Sequence, residues 1–118
     1  MPQSLLRLIK RCAEYIPQEK IKQLPRGLRG IYVFYKYNPK RSKYNVLYVG
    51  MTSAERRGGI RGRLWSHHLK KCRLWTHFSV FEVWDNIRDD EVTELEGLFR
   101  HIYRGDSQAN ILNLQRVL

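Results

Sequence analysis

The stretch GIYVFYKYNPKRSKYNVLYVG, residues 30–50, decides the fold. Its two ends, Gly30-Ile31-Tyr32-Val33-Phe34-Tyr35 and Val46-Leu47-Tyr48-Val49, are rich in the β-branched and aromatic residues that suit strands. Between them Lys36–Asn45 carries Asn38-Pro39 and the cations Lys40, Arg41 and Lys43, and reads as a loop. The simplest assembly is an antiparallel hairpin with a basic tip.

Working outward, Gly50 ends the second strand and Gly58-Gly59 breaks the loop that follows. A helix is predicted from about Ile60 to Cys72, carrying Arg61, Arg63, His67, His68, Lys70 and Lys71. Residues 77–84, HFSVFEVW, alternate well enough for a third strand. Over about 90–104 a second helix places Val92, Leu95, Leu98, Phe99 and Ile102 on one face, with acids in its first turn. Upstream, Leu5, Leu6, Ile9, Cys12, Ala13 and Ile16 recur at helical spacing after Ser4, so 4–16 is predicted as a helix that Pro17 stops. Residues 18–29 are polar with Pro25 and Gly27 and read as a connector. The expected class is α+β: a small antiparallel three-stranded sheet flanked by helices, with an added N-terminal helix. Residues 1–28 are then a helical extension and connector, and 29–118 the domain proper.

A chain of 118 residues supports one domain with a modest core. The 42% apolar content argues against disorder, and no apolar run approaches the twenty or so residues of a membrane span. Arg7, Lys10 and Arg11 interrupt the first apolar stretch, so a secretory signal is not expected. Cys12 and Cys72 form neither a disulfide framework nor a zinc pattern. The expectation is an intracellular protein, cytoplasmic or associated with nucleoid or nucleus.

Charge points to a partner. The net charge is +11, from 22 lysines and arginines against 11 acids. Residues 30–78 alone hold eleven bases and one acid, while 79–118 hold four bases and eight acids. So concentrated a basic block exceeds what solubility needs and fits a polyanion, most simply nucleic acid.

Tyrosine is the unusual population: seven occur, five of them between 32 and 48. Tyr32 and Tyr48 each stand near a glycine, Gly30 or Gly50, where backbone or ligand approaches closely. On paired strands they could line one cleft. Arg63 and His67, four apart on the predicted helix, share a face outside the apolar stripe. Glu96 falls at the rim of the last helix's apolar arc, either paired with Arg100 or held there to bind something. One helix does not choose between these.

Together these residues resemble the GIY-YIG nuclease superfamily. Gly30-Ile31-Tyr32 and Tyr48-Val49-Gly50 are similar to its paired motifs, and Arg63-Leu64-Trp65-Ser66-His67 to its arginine–histidine helix segment. Leu95-Glu96 resembles its metal-binding glutamate, and Asn110 the asparagine that closes its domain. The likeness covers about 28–114, so 29–118 would be the nuclease-like domain. Three departures are the YVG form of the second motif, a loop between the tyrosines longer than is usual for the family, and a long Gly50–Arg63 stretch, which makes Arg56, Arg57 and Arg61 rivals of Arg63. Arg63 alone keeps the spacing to His67.

The resemblance implies hydrolysis of DNA phosphodiesters with one divalent metal, Mg²⁺ or Mn²⁺. Glu96 would hold the metal, and Arg63 would clamp the phosphate through its planar fork. Tyr32 would take the water's proton, which requires a phenol pKa well below its usual value, and Arg63 would push it that way. Tyr48 would position water or phosphate, and His67 would assist proton transfer. Gly30, Gly50 and Asn110 would support the site. Lys40, Arg41, Lys43, Arg56, Arg57, Arg61, Lys70 and Lys71 would meet DNA, with a homodimer or a partner protein supplying specificity. A module of the same fold that binds nucleic acid without catalysis is the alternative.

Overall fold

A computed structural model of the chain describes residues 7–52, 59–64 and 74–103, with side chains through 101. Four strands form one sheet: β1 (Ile9–Pro17), β2 (Gly30–Asn38), β3 (Lys43–Met51) and β4 (His77–Val83). Their order is β1-β4-β2-β3, and every neighbouring pair is antiparallel. A 3-10 turn over Gln18–Gln23 follows β1; residues 59–64 are helical (α1), and α2 spans Asp89–Tyr103.

The hairpin forms, as do the strand near 77–84 and the last helix, but its loop is shorter than the expected Lys36–Asn45: Lys36, Tyr37 and Asn38 pair with Asn45, Tyr44 and Lys43, which leaves only 39–42 to turn. The sheet itself corrects the expectation of three strands flanked by helices and preceded by another helix. Residues 9–17 are a strand, hydrogen-bonded along the edge of β4. The reason lies in two register shifts, between Ile9 and Arg11 and between Ala13 and Ile16. Each bulge inserts an unpaired residue and changes which face the following side chains meet. Ile9 and Cys12 therefore pack on one face although they are three apart, and Ile16 packs on the other. Apolar spacing that imitates a helix is in this case the spacing of a bulged strand. The second bulge holds Tyr15 at φ 55, a left-handed conformation costing a bulky residue roughly 1–3 kcal/mol. Its amide donates to Ser79 Oγ at 3.0 Å, which steadies the bulge against β4.

A third irregularity decides the site. Across β2 and β3 the register runs Phe34↔Tyr48 and then Tyr35↔Val46, leaving Leu47 as the extra residue. Tyr48 consequently faces the layer of Tyr32 and Phe34, while Val46 and Tyr44 face that of Val33 and Tyr35. One bulge sorts the tyrosines into two populations on opposite faces of the sheet.

The face of Tyr32 is covered by Ile60 and Leu64 of α1 and by Ile21, Leu24 and Trp75. Trp75 lies flat on Phe34, ring centroids 4.4 Å apart and 6° from parallel. The opposite face is covered by Val92, Leu95 and Phe99 of α2. That helix opens with a half capping box, in which Glu91 Oε1 accepts the Arg88 amide at 3.0 Å. Asp89 Oδ1 takes two donors of Arg29, at 2.8 and 3.2 Å, tying the start of α2 to the chain entering β2. Among the described residues no helix is long and apolar enough to cross a membrane.

Candidate active site

Three of the expected residues meet. Arg63, reaching from α1, donates Nε to the Tyr32 hydroxyl at 3.2 Å. Tyr48 stacks beside Tyr32 with ring centroids 6.0 Å apart, close enough to act electrostatically on both Tyr32 and Arg63. The triad forms because β2 and β3 are paired and the Leu47 bulge turns Tyr48 to the correct face.

Both motif glycines are sterically required. A Cβ on Gly30 would lie 2.0 Å from the carbonyl oxygen of Phe81, and its φ of 152° is rare for other residues. A Cβ on Gly50 would lie 2.5 Å from the ring of Tyr32 and 2.7 Å from that of Tyr48. Gly50 is therefore the floor on which the two phenols rest.

The expected cleft between the tyrosines is closed. Tyr32 is 0% exposed and Tyr48 5%, whereas Arg63 is half-buried and reaches the surface. The electrostatics follow from that burial. Desolvation pushes the Tyr32 phenol well above its usual range, and the Tyr48 oxygen adds to the shift; Arg63 opposes both and does not prevail. This corrects the expectation of a depressed phenol. Tyr32 is a protonated phenol at neutral pH. Burial disfavours the Arg63 cation, but its hydrogen bonds and the two phenol oxygens outweigh that loss and raise its pKa. The triad is thus a charged guanidinium backed by the protonated Tyr32 phenol, with Tyr48 stacked beside it.

Glu96 projects from α2, which packs on the other face of the sheet and lies chiefly over β3. It is buried, and its Oε1 is bonded to Arg100 Nη2 at 2.6 Å, one helical turn away. Of the two readings open in the sequence, the ion pair is therefore present. A divalent cation would need Glu96 to release or share that oxygen. Mg²⁺ keeps most of its waters and takes one or two carboxylates, so a single glutamate suits it chemically. Among the described residues, no group of three or more His, Cys, Asp or Glu side chains gathers.

Among the expected DNA contacts, Lys40, Arg41 and Lys43 are exposed at the hairpin tip and Arg61 is half-buried on α1. His67, Asn110, Arg56, Arg57, Lys70 and Lys71 lie outside the described residues. Thr52 supports the site although it lies outside the expected set. Its amide donates to the Gly30 carbonyl at 3.0 Å, and its hydroxyl touches the Gly30 amide and the Leu28 carbonyl at 3.4 Å. Thr52 thereby locks the end of β3 to the first glycine motif. Its place two residues after Gly50 was the available signal.

In comparisons with protein families, curated proteins and solved structures, nothing matches this chain.

Proposed function

We propose that the chain is a divalent-metal-dependent DNA endonuclease of the GIY-YIG kind, acting inside the cell on phosphodiester bonds. The observation that supports this most is the Arg63–Tyr32 hydrogen bond beside Tyr48, built over Gly50. Residues distant in sequence, in the order the resemblance requires, come together on one face of the sheet. Arg63 is the group that reaches a phosphate, since it alone of the three is substantially exposed. Its planar fork suits bidentate contact with phosphate oxygens and stabilises charge that grows in the transition state. Tyr32 and Tyr48 act through it as positioning residues, holding the guanidinium at a constant angle.

A neutral Tyr32 does not take the proton of the attacking water. That task passes to His67, four residues after Arg63 in the chain. The resemblance assigns Mg²⁺ or Mn²⁺ to Glu96, which stands across the sheet from the Arg63 layer, and an ion held there would supply neutralisation of phosphate charge. A homodimer or partner protein would supply DNA specificity.

The second reading is a module that binds nucleic acid without cutting it. The Glu96–Arg100 pair and the closed tyrosine layer favour it. One experiment decides. Purified protein is incubated with labelled single-stranded, duplex and branched DNA, with Mg²⁺ or Mn²⁺ and with chelator. Scission that needs metal supports the nuclease; binding without scission in every arm supports the module.

A further inference from the structure

On the sheet face away from Arg63, Tyr15, Tyr37, Tyr44 and His77 converge at the hairpin end. Tyr44 is the hub: its ring centroid lies 4.5 Å from Tyr15, 4.8 Å from Tyr37 and 5.0 Å from His77. At these separations the Tyr15 and Tyr37 rings, tilted 35° and 42°, are stacked against Tyr44, and His77 stands edge-on to it, so the group is a short stack that Tyr44 holds together. Tyr15 is 44% exposed, and the other three are half-buried. Such a concentration of rings at a wet edge exceeds what core packing requires.

The rings are held from behind. The Tyr35 hydroxyl, beneath Tyr15, donates to Ser79 Oγ at 2.9 Å, and that oxygen also accepts the Tyr15 amide. Thr76 Oγ1 accepts the Tyr37 amide at 2.8 Å and meets His77 Nδ1 at 2.9 Å. The strained Tyr15 backbone and the β1 bulge serve one result, the placing of that ring against Tyr44.

Cations stand beside this surface. The turn after Asn38 is pinned by its side chain, which accepts the Lys40 amide at 3.0 Å, and it presents Lys40 and Arg41 to solvent. Strand alternation sends Lys36 and Lys43 to the other face, so the tip cations are the ones near the rings. The hairpin from 36 to 45 carries no acid; Glu14, exposed on β1, is the nearest carboxylate in sequence to the rings.

The geometry points to a single-stranded DNA platform: bases stack on the outer faces of Tyr15 and Tyr37, which Tyr44 supports from between them, and Lys40 and Arg41 hold the adjoining phosphates. Every base has a π-face, so stacking grips a single strand without reading its sequence. Bases stacked within a duplex are not available to such rings. This rests on the nucleic-acid part of the proposed function and deepens it, naming unpaired DNA as the strand held outside the Arg63 site.

The test is anisotropy titration of labelled oligo-dT, oligo-U and duplex DNA in chelator, where no metal-dependent scission intervenes. Tyr44→Leu keeps apolar bulk and Tyr44→Phe keeps the ring, with melting curves confirming that each is folded. Tyr15→Ala removes the exposed ring alone, so the test stands even where Tyr44→Leu fails to fold. Oligo-dT affinity should fall about tenfold or more for Tyr15→Ala and for Tyr44→Leu, and hold for Tyr44→Phe. Duplex affinity should be unchanged in all three. Unchanged oligo-dT affinity in folded Tyr15→Ala overturns the platform, as does an equal loss on duplex. Clearly tighter binding of oligo-U than of oligo-dT overturns the assignment to DNA. A protein that binds oligo-dT through these rings but cuts nothing keeps this inference and loses the nuclease; one that cuts with unaltered oligo-dT binding in the variants does the reverse.

Discussion

Gly50 and Tyr32 are in contact across the β2–β3 pair so closely that a Cβ on Gly50 would fall 2.6 Å from the Tyr32 hydroxyl. The glycine that ends the second motif is shaped around the tyrosine of the first. Gly50→Ala should therefore act on Arg63 through Tyr32. The methyl cannot fit unless the phenol moves, and overpacking of this kind costs about 1–3 kcal/mol. We expect a lower melting temperature and, in the cleavage assay, loss of activity beyond what the unfolded fraction explains. An active Gly50→Ala protein of normal stability would show that the Tyr32 ring has somewhere else to go.

The Tyr32 phenol, raised by burial, makes stability depend on alkaline pH. Its proton is held more tightly in the folded chain than in the unfolded one, where a tyrosine titrates near pH 10. Its contribution is complete below about pH 10 and is lost as pH rises beyond, because the unfolded state then binds fewer protons. Urea unfolding measured from neutral pH upward should show stability falling above that point. Tyr32→Phe should fall less steeply. An equal slope in both would show that the phenol is not desolvated.

The hairpin and the helix at 89–103 were legible because their signals are local: β-branched runs flanked by turn residues, and an apolar arc after three acids. The strand Ile9–Pro17 was not, because its bulges space Ile9, Cys12 and Ile16 as a helix would. Bulges are fixed by pairing partners far along the chain, here residues of β4, which no window around residue 12 contains. The site shows the same division. Arg63 was found by its spacing to His67, and Gly30 and Gly50 by their tyrosines, all within short windows. That Tyr32 would be sealed and its pKa raised depends on Ile60, Leu64 and Trp75 closing over it, a property of packing and not of motif. The split between Tyr48 and Tyr44 likewise turns on one unpaired residue, Leu47.

Arg63 is the direct test of the phosphate site. Arg63→Ala should lower cleavage by about 10²–10³-fold, the usual cost of removing one donor to transition-state charge. Arg61→Ala, a cation two residues away without the Tyr32 bond, should lower it by far less. Arg63→Lys should not recover full activity, since a point charge lacks the planar fork and the Nε donor that Tyr32 receives. Comparable losses in the Arg61 and Arg63 variants would reduce Arg63 to one of several surface cations.

Glu96 and Arg100 separate the metal reading from a structural one. The pair joins a buried carboxylate to a half-buried guanidinium at 2.6 Å, so removing either charge leaves the other poorly solvated. Both Glu96→Gln and Arg100→Gln should therefore lower stability, by about 1–3 kcal/mol. Stability alone does not discriminate; the metal dependence of cleavage does. Arg100→Gln leaves the carboxylate in place and without its competitor, so cleavage should persist and the metal needed for half-maximal rate should fall. Glu96→Gln removes the oxygen charge that a cation requires, so metal-dependent scission should drop by orders of magnitude while DNA binding in chelator is retained. Measuring melting, binding and a metal titration on the two variants gives opposite movements from one ion pair. If Glu96→Gln cuts DNA at the wild-type rate and metal concentration, Glu96 is a structural partner of Arg100 and the metal must be held elsewhere.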